Sequence, residues 1–136
     1  MGVSLSGSIP NLWPTDLAPT VERTPLAILK EQAAQLGART KNLLEGRVTT
    51  RVYAQGEDRL FQHTFSVVAP ALDGYTYRLL EVKHGLDPYP VTVGVSPTYV
   101  EEELASEAEF IEYLRRVFAS DETRRIIGSL LAQVQS

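Results

Sequence analysis

The sequence predicts an α+β fold: an N-terminal helix, a four-stranded, mostly antiparallel sheet arranged as a meander, and two C-terminal helices packed on one face of that sheet. Three observations lead there. Apolar residues recur at helical spacing near residue 25 and again after Ser106. Between those stretches they alternate with period two, the pattern of half-buried strands. The segments joining the alternating runs are short, which favours antiparallel hairpins over parallel crossovers.

Residues 1–23 stand apart as an irregular arm, and residues 24–136 form a single domain. Pro10, Pro14 and Pro19 fall in the arm with Gly2 and Gly7, and proline both removes a backbone donor and blocks helix continuation. The arm is nonetheless punctuated by Ile9, Leu12, Trp13 and Leu17. Trp13 is the only tryptophan of the chain and a large apolar group to leave in water, so it is a candidate docking residue.

The body opens on a helix over 25–36. Thr24 is placed to cap it, Pro25 suits the first helical position, Leu26, Leu29, Ala33 and Leu36 form the stripe, and Gly37 marks the exit. Residues 46–55 alternate as a strand, Gln55-Gly56-Glu57-Asp58 turns, and 59–68 alternate most cleanly, with Phe61, His63, Phe65 and Val67 on one face. Pro70 ends that strand and Asp73-Gly74 turns into a third over 75–84. Its centre is apolar on both sides, through Leu79 on one and Leu80 and Val82 on the other, so cover on both faces is expected. A fourth short strand follows over 91–95. Ser106 and Glu109 form a capping-box pattern ahead of Phe110, Ile111, Leu114, Val117 and Phe118. Ser120 starts a second helix with Asp121 and Glu122 in its first turn, carrying Ile126, Ile127, Leu130, Leu131 and Val134.

Composition narrows the function. The chain of 136 residues contains no cysteine, which excludes disulfides, thiolate metal sites and a cysteine nucleophile. Its two histidines, His63 and His84, cannot complete a metal site without carboxylates; no metal and no cofactor is expected. The net charge of −4 argues against a general polyanion-binding surface, so nucleic acid is not an expected partner. The charge is unevenly spread, with seven basic and four acidic residues from Arg23 to Arg59, and six acidic and no basic residues from Glu101 to Glu112. No targeting signal or membrane span is visible, and the Arg-rich, Lys-poor composition suits a GC-rich bacterial gene; a cytoplasmic setting is expected.

Two groups of residues carry possible chemistry. Asp73, Glu81 and Lys83 form an acid followed by E-x-K on a strand, a string that resembles the PD-(D/E)xK pattern of metal-dependent nucleases. In such a site two carboxylates hold Mg²⁺ and the lysine activates water. Glu31 would be the helix acid that often joins them. The match departs from the pattern at Leu72, where the family has proline, and the acidic net charge disfavours a DNA substrate. The second group is His63, between two phenylalanines on the core-facing side, and His84, near Glu81, Asp87 and Tyr89 at a strand end. Tyr75, Tyr77 and Tyr89, with Tyr53 and Tyr99, supply aromatic positions suited to an interface.

The reading preferred on these residues is a non-enzymatic protein-interaction or assembly module, self-associating or bound to a protein partner. Its interface candidates are Trp13, His63, Tyr75, Tyr77, His84 and Tyr89. The alternatives are a small-ligand binder or enzyme with a pocket between sheet and helices, and the nuclease.

Overall fold

A computed structural model describes residues 7–136; residues 1–6 of the expected arm lie outside the described residues. The element order is α1 (Pro25–Arg39), β1 (Glu45–Gln55), β2 (Asp58–Ala69), a short 3-10 turn (Pro70–Leu72), β3 (Tyr75–His84), β4 (Val91–Val95), β5 (Glu101–Leu104), α2 (Glu107–Ala119) and α3 (Asp121–Val134). The strands form one antiparallel sheet in the order β1-β2-β3-β4-β5, a plain meander. The class and element order follow the sequence expectation, with five strands in place of four. The added strand, β5, is Glu-Glu-Glu-Leu and shows no alternation of its own. It exists because β4 offers it an edge, and only Leu104 is buried, opposite Val91.

The helix ends form as their residues dictate. The Thr24 hydroxyl accepts the Ala27 amide and Pro25 occupies the first turn of α1. The helix runs one turn beyond the expected exit at Gly37, which is buried inside it, and closes at Thr40. The Thr40 hydroxyl donates to the Leu36 carbonyl and accepts the Leu44 amide, tying helix end to strand start. Lys41 and Asn42, both at positive φ, complete the reversal. Ser106 accepts the Glu109 amide at the start of α2. Ser120 closes α2 by donating to the Val117 carbonyl at 2.7 Å and opens α3 by accepting the Thr123 amide.

The three helices share one face of the sheet. Phe110 at 0% exposure, with Leu29, Leu44, Leu80, Val82, Val91 and Val93, fills the space between the layers. α1 lies close against β1: a Cβ on Gly46 would come within 2.4 Å of the Ala33 Cα. Only glycine permits that approach.

The expected cover on both sides of β3 is not present. The register between β2 and β3 shifts at Phe65/Ser66, leaving Leu79 without a partner on β2. This bulge turns Leu79 as well as Leu80 toward the core, and both are buried. The apolar pair at the strand centre therefore records a bulge. The opposite face carries Arg51, Gln62, Glu81, Lys83 and Glu101 and, among the described residues, has no helix on it. Among the described residues no helix is long and apolar enough to cross a membrane.

Candidate functional site

The meander brings the two histidines together. His63 on β2 stands opposite Val82, and His84, two residues along β3, faces the same side. Their Nε2 atoms are 2.8 Å apart. Thr50 of β1, the register partner of His63, sets its hydroxyl 2.8 Å from His63 Nδ1. His84 Nδ1 lies 2.8 Å from the Gly85 carbonyl, and Phe61 stacks on the His84 ring at 5.3 Å.

These contacts fix the tautomers by donor counting. A carbonyl only accepts, so His84 Nδ1 carries a hydrogen. Neutral His84 then accepts at Nε2, His63 donates from Nε2, and His63 Nδ1 accepts the Thr50 hydroxyl. His63 is 2% exposed. Its burial, then the nearby His84 and Lys30, lower its pKa to about 4.

The other sequence candidates are dispersed. Glu81 and Lys83 share the helix-free face, where Arg78 pairs with Glu81 at 3.2 Å and Glu101 with Lys83 at 2.8 Å. Glu101 holds the Lys83 ammonium above its ordinary pKa. Asp73 sits in the β2–β3 turn at φ 57, separated from Glu81 by roughly 20 Å of strand at ~3.3 Å per residue. The nuclease constellation therefore does not assemble: its turn acid and its strand acid occupy opposite ends of β3. Glu31 lies on α1, across the sheet from Glu81 and Lys83. Among the described residues no group of three or more His, Asp or Glu side chains could hold a metal ion.

Nor do the tyrosines make one surface. Tyr75 and Tyr77 border a depression beside α3, and the Tyr77 hydroxyl bonds Ser96. Tyr99 crosses to the other face, where its hydroxyl donates to the Arg78 carbonyl. Tyr89 packs its ring 6.4 Å from that of Phe110 and donates to the Arg23 carbonyl. Burial and the carboxylates of Glu107 and Glu22 push the Tyr89 phenol up to about 12.

Tyr89 thereby anchors the root of the arm. The Arg23 amide donates to Glu107 Oε1 at 2.7 Å, and its guanidinium donates to Oε2 through Nε and Nη2. Those bonds hold the Glu107 carboxyl below its usual pKa. Both backbone polar groups of Arg23 are engaged, the amide by Glu107 at the start of α2 and the carbonyl by Tyr89 of the β3–β4 loop. Beyond this clamp the arm stands off the body: Ile9, Leu12, Trp13 and Leu17 are 79%, 80%, 73% and 65% exposed. The one side-chain hydrogen bond within residues 7–22 is local, from the Trp13 amide to Asn11.

A pocket between sheet and helices is one of the alternatives the sequence raises, but the residues that line the cleft found there were not legible in it. The helix layer is open between α1 and the α2–α3 pair, leaving a cleft of about 740 Å³ that shares Gln32, Arg39 and Phe118 with a smaller hollow of about 240 Å³. Phe65, Val67 and Leu79 of the sheet floor the inner part. Ile28, Leu36, Phe118 and Ile127 form apolar walls. Arg23, Arg39, Arg115 and Arg124 border it against one acid, Glu31. Arg23 and Arg115 are paired, with Glu107 and Glu112. Among the described residues Arg39 and Arg124 have no carboxylate partner, and Arg124 donates to the Ala119 carbonyl. Neither histidine lines this cleft. Such a site arises where elements distant in sequence fail to close, so no local pattern announces it.

Comparison of the chain with protein-family models, with curated proteins and with solved structures returned no match.

Proposed function

We propose that this protein is a non-enzymatic interaction module that receives a short acidic, apolar peptide segment in the cleft between α1 and the α2–α3 pair. The observation that carries the reading is the combination of an apolar floor with two guanidinium groups, Arg39 and Arg124, that have no carboxylate partner among the described residues. Apolar side chains of a bound segment would leave water on the floor, and its carboxylates would meet arginines whose planar forks suit them. The polar lining is mainly arginine and glutamine, groups that bind and orient an anion. The alternative with specific support is a small anionic amphiphile, because a volume of about 740 Å³ falls in the range of small-molecule pockets.

Titration of the ¹⁵N-labelled full chain separates the two. The probes are an excess of a sixteen-residue peptide of Leu, Trp, Asp and Glu, the same peptide with Lys at the acidic positions, and decanoate. The acidic peptide is expected to shift amides around Arg39, Phe118 and Arg124, and Arg39→Glu with Arg124→Glu to weaken it roughly ten-fold. Equal binding of the Lys peptide, or shifts confined to another surface, would sink the reading. Binding of decanoate alone would install the small-ligand alternative.

A further inference from the structure

Resting on that reading of the cleft, we propose that its occupant is the N-terminal arm of a second copy of this chain, so that two copies exchange arms. The arm has the chemistry the cleft asks for. Residues 7–22 contain Asp16 and Glu22 and no lysine or arginine, together with Ile9, Leu12, Trp13, Leu17 and Val21. The cleft supplies the complement: phenylalanine and aliphatic side chains below, Arg39 and Arg124 at the border.

Length and position agree as well. Arg23, where the arm leaves the body, lines one part of the cleft, and Arg39 at the far end of α1 lines both parts. α1 has 15 residues, so the cleft runs along roughly 22 Å of helix at ~1.5 Å per residue. Pro10, Pro14 and Pro19 keep the arm from forming a helix, and it turns at Thr15–Asp16. At ~3.1 Å per residue the sixteen residues 7–22 reach at most about 50 Å, which exceeds that length and leaves chain to cross between copies.

The clamp at Arg23 decides between the two sources of an arm. Its amide is taken by Glu107 and its carbonyl by Tyr89, which sets the direction in which the chain departs. In that direction Ile9, Leu12, Trp13 and Leu17 stay in water within a single copy. Cover for them comes from outside that copy. A two-fold exchange uses each arm and each cleft once and leaves no open end to propagate.

The test uses the full chain. Sedimentation velocity from low micromolar to high micromolar concentration should show a reversible monomer–dimer equilibrium. Emission of Trp13, the sole tryptophan, should shift to the blue over the same range. Trp13→Ala should weaken the dimer at least roughly ten-fold. Charge reversal supplies the control for misfolding. Asp16→Arg with Glu22→Arg in one variant, and Arg39→Glu with Arg124→Glu in another, should each abolish the dimer. Their equimolar mixture should restore it as a heterodimer, because each arm then meets a cleft of opposite charge. A chain that is monomeric throughout, a dimer indifferent to Trp13→Ala, or a mixture no better than its components each overturns the proposal. Blue emission independent of concentration in a monomer would place the chain's own arm in its cleft, and also overturns it. If the chain is monomeric while the acidic peptide still marks Arg39 and Arg124, the cleft reading stands and only the exchange falls.

Discussion

His63 shows how one side chain records the whole sheet. On β2 its period-two position points it into the core, and only the pairing of three strands supplies Thr50 and His84 as partners for its two nitrogens. The groups facing it are Thr50 from β1, His84 from β3 and Lys30 from α1. Burial leads in holding its pKa at about 4, below the ordinary 6.5. The unfolded chain therefore binds the proton first as pH falls. The stabilisation is complete above pH 6.5 and is lost progressively toward pH 4, about 3 kcal/mol in all at 1.36 kcal/mol per pKa unit. Urea unfolding of wild type between pH 7 and pH 4 should show that loss, and His63→Phe should flatten it. Parallel pH profiles for the two proteins would refute the assignment. The burial of His63 was readable from its place between Phe61 and Phe65. Its partners were not, because Thr50 and His84 lie on other strands and register alone aligns them.

At the scale of elements, caps and turns were legible and contacts between elements were not. Thr24, Ser106 and Ser120 act on their own neighbours, so their spacing to Ala27, Glu109 and Thr123 suffices to read them. Gly46 differs: nothing within its strand requires glycine, and the reason is the Ala33 backbone of α1 pressed against it. Gly46→Ala should cost about 1–3 kcal/mol by forcing α1 away from β1. Ala33→Gly should recover little, since the closest atom is the Ala33 Cα and not its side chain. Recovery to wild-type stability in the double variant, measured by chemical unfolding, would contradict this account. The same distinction explains β3 and β5. A bulge and an added edge strand are decided by the neighbouring strand, and the residues Leu79-Leu80 and Glu101–Leu104 taken alone carry no such signal.

For the whole molecule, the uneven charge has a partly internal use. The basic first half and the acidic start of α2 meet at Arg23–Glu107, and Lys83–Glu101 joins β3 to the other end of the acidic block. What those pairs leave over is an uncovered acidic-apolar arm and a basic-apolar cleft in one chain. If arms are exchanged, stability includes an association step, and the thermal midpoint must rise with protein concentration. Trp13→Ala should remove that dependence while leaving the midpoint of the dilute protein nearly unchanged, because Trp13 stands 73% exposed in the single copy. Calorimetry across a hundred-fold concentration range checks both; a midpoint constant in wild type would remove the association step.

By itself the sequence determined the α+β class, the order of the elements, the capped helix starts and the inward face of β2. Each of these follows from interactions within about four residues along the chain, or from the side-chain period of one element. The tertiary structure alone decided the Thr50–His63–His84 hydrogen-bond chain, the clamp on Arg23 and the open cleft above Phe65. Each depends on which strands pair in which register and on how closely three helices cover one sheet face. Those are properties of distances between residues far apart in the chain.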